Sequence, residues 1–127
     1  MSRAVAAWRP VPNRHNIWEL VVHAAYWKYA ARRRLTGEKR GSFPLVGSNW
    51  WSRAVEGSDL EWKQDIRLLV QEHKALRDAA AAFPLQKLSR PAPGSLFTYA
   101  ALIRGGAAHD LYHAGQIQLL KRLATAR

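Results

Sequence analysis

The chain has 127 residues, 48% of them hydrophobic and six of them tryptophan, enough for one small domain with a real core. It carries a net charge of +11 and no cysteine, which excludes a disulfide framework, cysteine metal ligands and an internal thiol nucleophile. Every long apolar run is broken by charge or histidine within about 20 residues, so no membrane span is expected. Met1–Ala7 is too short for a secretory signal, and the expectation is a cytoplasmic protein.

The first predicted helix covers about 17–35. Asn16 is a good N-cap, Glu19 three residues later makes a variant of the capping box, and Gly37 stops the helix. A long connection follows, with Pro44, Gly47 and the pair Trp50-Trp51, whose rings should pack it down. The second helix covers about 59–83, capped by Ser58 or Asp59 and closed by Pro84. Its expected core stripe is Trp62, Ile66, Leu69, His73, Leu76, Ala80 and Phe83. A second connection holds Pro91, Pro93 and Gly94. The third helix covers about 96–125, loosened at Gly105-Gly106. The run from Gly105 to Ala108 and Gly115 read as close helix contacts. No alternating strand pattern and no repeat appears, so the fold class is an all-α helical bundle of one domain, 1–127, with long crossover connections.

The basic residues gather at Arg32-Arg33-Arg34 and Lys39-Arg40, and again at Lys121, Arg122 and Arg127, near helix C-termini where cations complement the backbone dipole. Such a field attracts anions in general. No nucleic-acid motif accompanies it, so a well-charged surface is expected rather than a nucleic-acid partner.

The third helix holds the most informative stretch, His109-Asp110-Leu111-Tyr112-His113-Ala114-Gly115-Gln116-Ile117. Residues four apart lie one above the other on a helix, so His109 and His113 can converge on one metal ion. Gln116 continues the same stripe with Leu102 and Leu120, a polar trio set into an apolar face. It either orients a ligand or a metal-bound water, or makes an ordinary interhelical hydrogen bond. A metal needs a third ligand. His23 is the best candidate, because it lies mid-helix in a segment apolar nearly all round. His73 is the rival, on a stripe near an edge. His15, just before the helix cap, reads as a surface residue or one at the rim of the site. Asp110 gives a shortened echo of the zinc-protease helix His-Glu-x-x-His, but a supporting role behind the ligands or a surface role fits better. Tyr112 reads as a packing residue.

Trp8-Arg9-Pro10, the run from His15 to Trp27 and the closing His109–Ile117 motif resemble the DinB-like family of metal-binding four-helix bundles over nearly the whole chain. The resemblance implies a metal at His23, His109 and His113, and commonly a homodimer; on the reading of the residues themselves, Gln116 and Asp110 would stand behind these ligands. The family usually has a full helix before its Trp-Arg-Pro stretch, whereas only seven residues precede Trp8 here. Either the coding start is placed too late or a helix has been lost. Trp18, Val22 and Tyr29 could then not all be covered by two other helices, and a homodimer would hide the open face.

Imidazole suits zinc, nickel or iron as the divalent transition metal. Three neutral imidazoles leave an ion with its full charge and an open position. Relatives in the family include thiol-dependent transferases and isomerases. The function expected is therefore a metal-dependent enzyme of thiol-transferase type, or a hydrolase, using an external anionic low-molecular-weight thiol. The alternative is a non-catalytic metal-binding or stress-related protein whose ion stabilises the bundle. No catalytic residue can be named from the sequence.

Overall fold

The computed structural model describes residues 1–126; Arg127 of the second basic set lies outside them. The helices are α1 (Arg3–Ala7), α2 (Ile17–Thr36), α3 (Asp59–Ala82) and α4 (Tyr99–Ala126), with one 3-10 turn at Leu85–Lys87. Beyond an isolated antiparallel bridge between Pro91 and Thr98, the described residues form no sheet. The fold is the expected all-α bundle with three long helices. None of the described helices is long and apolar enough to cross a membrane.

Local sequence sets the helix boundaries. The Asn16 side chain accepts from the Glu19 amide, the Glu19 side chain reaches back to the Asn16 amide, and Gly37 ends α2 in the left-handed conformation at φ 76°. Ser58 and Glu61 form the same reciprocal box at the start of α3. Each box satisfies two amides that a helix start would otherwise leave unpaired.

α2 is the centre of the molecule. It packs on both α3 and α4, whereas those two barely meet each other. Trp18 and Val22 are fully buried and Tyr29 is nearly so, without any second copy. The expectation that they would need a partner is therefore corrected. The covering comes from the segments on either side of α2. Ala6, Ala7, Val5 and Trp8 join the core from the N-terminal side, and Leu45, Trp50 and Trp51 join it from the connection. Trp18 meets Trp62 edge-on at 5.6 Å and donates its indole N–H to Asp65 at 2.6 Å. The Tyr29 hydroxyl accepts from the Gly41 amide, and its ring lies 5.3 Å from Phe43.

The core stripe of α3 also differs from expectation. Its buried residues are Trp62, Asp65, Leu68 and Glu72, while Ile66 and Val70 are exposed and so is His73. The helix is rotated because two carboxylates take the side facing α2. Asp65 bonds Trp18 and Arg53, and Glu72 pairs with Arg32 at 3.2 Å. With no helix packed on its other flank, the apolar residues there stay in solvent.

α4 runs unbroken through Gly105 and Gly106. A Cβ added at Gly105, Gly106 or Gly115 would meet nothing within 4 Å, so these glycines are not close helix contacts. The close approach is at Gly57, where a Cβ would lie 2.6 Å from Cη2 of Trp18.

Candidate metal centre

α2 contributes His23 to the centre, and α4 contributes His109 and His113 from successive turns. One ring nitrogen from each lies within 4.8 Å of the others, and no further histidine or carboxylate joins the group among the described residues. The ring centres are 5.2 Å apart for His23 and His109, 4.8 Å for His23 and His113, and 4.3 Å for His109 and His113. The Nε2 atoms of His109 and His113 are 3.0 Å apart, close to the spacing expected of two imidazoles each about 2.1 Å from one zinc ion.

Two of the rings are aimed by carbonyl acceptors. Nδ1 of His23 lies 2.9 Å from the backbone oxygen of Asn49, and Nδ1 of His113 lies 2.6 Å from Oε1 of Gln116. An acceptor oxygen requires N–H at Nδ1, which leaves the Nε2 lone pair as the free donor to a metal. Gln116 thus does what the sequence allowed as one of two roles: it backs the His113 ring. Asn49 holds the left-handed conformation at φ 70°, and its side-chain oxygen accepts from the Trp27 indole at 2.8 Å. One residue thereby fixes His23 and the tryptophan one turn further on.

Trp50 lies flat between two imidazoles. It stacks on His23 at 3.8 Å and 8° and on His15 at 3.6 Å and 3°. His15 therefore sits at the rim, one ring removed from the centre, with Nδ1 3.1 Å from Glu19. Glu19 is buried, and desolvation alone would raise its pKa. Hydrogen bonds from Arg9, the Arg53 amide and His15 outweigh that and hold it at about 2.

Burial likewise disfavours charge on His23 and His109. His23 is lowered to about 4, chiefly by desolvation, with the Asn49 bond opposing and the neighbouring imidazoles adding to it. His109 is lowered by burial and then by His113. At neutral pH both rings are uncharged, the form that ligates a metal. The donor types, their convergence, the tautomers of His23 and His113 and the neutrality of His23 and His109 all fit a divalent transition metal.

The remaining residues named from sequence lie outside the donor group. Asp110 turns to Lys28, with Oδ2 2.5 Å from Nζ, rather than to a histidine ring. His73 approaches the same lysine at 3.1 Å and is not in the triad. Tyr112 is largely exposed. Sequence reasoning missed Asn49 and Lys28, and it read Trp50 only as a loop anchor. A short polar residue beside the tryptophan pair is a weak signal for Asn49. A lysine inside an apolar helix segment was the available signal for Lys28, because such a charge needs a partner.

Two cavities border the triad. One of about 440 Å³ is lined by Arg14, His15, Trp50, Tyr112, His113 and Gln116 among others. The other, of about 340 Å³, reaches His109 from the opposite side.

A family model described as the DinB superfamily matches residues 1–117. No curated protein and no solved structure matches the chain.

Proposed function

The chain belongs to the DinB superfamily, and on that premise we propose that it binds a divalent transition metal through His23, His109 and His113 and acts as a metal-dependent enzyme of thiol-transferase type. The observation that carries this reading is the convergence of three buried or half-buried imidazoles with no fourth side-chain ligand in the group among the described residues. Structural zinc sites normally close with four protein ligands, whereas catalytic sites keep a position open. When bound, the metal supplies Lewis acidity and a positive charge that favours a thiolate. The thiol comes from outside, since the chain has no cysteine. Arg14 and His15 line the cavity beside His113 and would receive the carboxylates of an anionic low-molecular-weight thiol. Gln116 and Asn49 hold the ligand rings in place.

Cobalt substitution tests the reading. Added thiol should change the visible spectrum of the cobalt-loaded protein, and a His113→Ala variant should lose both the spectrum and thiol-dependent turnover. A spectrum indifferent to thiol would overturn it in favour of a closed site.

A second reading rests on the thin packing of α4. Only His113, Leu120 and Ala124 of its described residues are buried. A metal joining α2 to α4 would fasten a long helix with few buried residues, as in a non-catalytic or stress-related metal protein. We also propose self-association. Its support is the set of exposed apolar side chains Ile66 and Val70 on α3 and Leu119 and Leu123 on α4, rather than any exposure of α2.

A further inference from the structure

The cavity on the His109 side is distinct from the one assigned to the thiol. It has a volume of about 340 Å³ and runs between α2 and α4, with Leu76 of α3 closing its back. Its walls are Trp27, Ala31, Leu102 and Phe97, and its ionic groups are Lys28, Asp110 and Arg34. Lys28 and Asp110 neutralise each other at 2.5 Å. Arg34 is exposed at the other end and has no ion pair or hydrogen bond among the described residues. The cavity thus offers an apolar body, a neutralised pair, one imidazole of the triad and one uncompensated cation.

The spacing of these features defines a ligand. Trp27, beside His109 at a ring separation of 6.5 Å, and Arg34 are seven residues apart on α2. That places Arg34 about 10 Å along the helix from Trp27, the residue that borders His109. A volume near the lower end of small-molecule sites suits a compact ligand. We propose that this cavity binds a small apolar carboxylate, with the carboxylate on Arg34 and the apolar end against His109, as the second substrate of the metal centre. The proposal rests on the metal-enzyme reading above. It gives the two substrates opposite sides of the triad: the polar thiol beside His113 and, beside His109, an acceptor with an electron-poor carbon–carbon double bond. The thiolate adds to one carbon of that bond while the π bond breaks, and the thiol proton passes to the other carbon, so that no leaving group is needed. The charge balance of the cavity selects the orientation. The neutralised Lys28–Asp110 pair at the inner end offers a carboxylate no net charge, whereas Arg34 favours one at the rim.

The test uses 4-phenylbutyrate and its alcohol analogue, 4-phenylbutan-1-ol, as probes of the metal-free protein, followed by calorimetry and by NMR. The carboxylate should bind saturably, with cross-relaxation between its phenyl protons and the His109 ring. Arg34→Gln should weaken the carboxylate at least fivefold and leave the alcohol unchanged. Gly106→Leu should abolish binding of both by filling the cavity. An added Cβ at Gly106 meets nothing within 4 Å and leucine is the better helix former, so this variant keeps the fold, as circular dichroism would show. Equal affinity for carboxylate and alcohol, contact of the methylene beside the carboxylate with His109, or undiminished binding in Gly106→Leu would each overturn the proposal. A zinc titration of the same sample separates the two claims. Zinc uptake without probe binding overturns the cavity alone. Probe binding without zinc uptake overturns the metal reading, and with it the role of the carboxylate as substrate.

Discussion

The indole of Trp50 covers one face of the His23 imidazole, 3.8 Å between ring centres and 8° from parallel, while the preceding residue holds the edge of the same ring through its carbonyl. A loop residue pair thus restrains both the tilt and the rotation of a ring that α2 alone would leave free to change rotamer. The long connection between α2 and α3 is part of the candidate metal centre.

Removing such support should weaken metal binding without removing a ligand. Trp50→Ala is expected to lower zinc affinity 10–100-fold, with Trp50→Phe largely restoring it. Gln116→Leu, which deletes the acceptor at His113, should lose a similar factor, whereas Gln116→Glu should not. Competition against a chromophoric chelator measures each, and unchanged affinity in both Trp50→Ala and Gln116→Leu would refute the positioning roles.

The metal-free protein should lose stability as the pH falls. An unfolded histidine takes up its proton near pH 6.5, but His23 in the fold does so only at about 4. The folded state binds fewer protons in between, so His23's contribution is fully present above pH 6.5 and is lost on the way down to about 4. The span is worth about 3 kcal/mol. Glu19, held at about 2, extends the loss below pH 4.5 by the same logic. Urea titrations at pH 7 and pH 4 should show a smaller difference in His23→Leu than in the parent chain.

Gly57→Ala should destabilise the fold by about 1–3 kcal/mol. The new methyl would sit 2.6 Å from Trp18, a fully buried ring already tied to Asp65, so neither partner can give way cheaply. Gly115→Ala, with open space around its Cβ, should instead gain about 0.5–1 kcal/mol from helix propensity. Equal effects of the two in thermal melts would contradict this packing.

Much of this was legible in the sequence because it is local. The Asn16–Glu19 box, the cap at Ser58, the stop at Gly37 and the i, i+4 pair on α4 follow from local spacing; that Glu61 completes the box at Ser58 is shown by the structure. His23 was recoverable because an imidazole in an apolar segment requires a partner. What escaped depends on which surfaces meet. The rotation of α3 follows from Asp65 and Glu72 finding cations on other segments, which no periodicity reports. The sandwich of His15, Trp50 and His23 joins the start of α2 to a connection far along the chain. The burial of Trp18 and Val22 comes from residues before Trp8 and from the connection, elements with weak patterning of their own.

Self-association should proceed through α3 and α4. Sedimentation at micromolar concentration is expected to show a dimer, shifted to monomer by combining Val70→Glu with Leu119→Glu, two residues that are 62% and 60% exposed. A parent chain that stays monomeric would remove the dimer from the account, and the repulsion between copies of charge +11 would explain it.

The central claim is that three histidines from two helices make one metal site, and zinc titration calorimetry at pH 7.5 tests it most directly. The account predicts one ion per chain for the parent protein and loss of that site in His109→Ala with His113→Ala, with His23→Ala weakening it at least a hundredfold. Zinc binding of undiminished affinity and stoichiometry in a chain lacking all three histidines would contradict it.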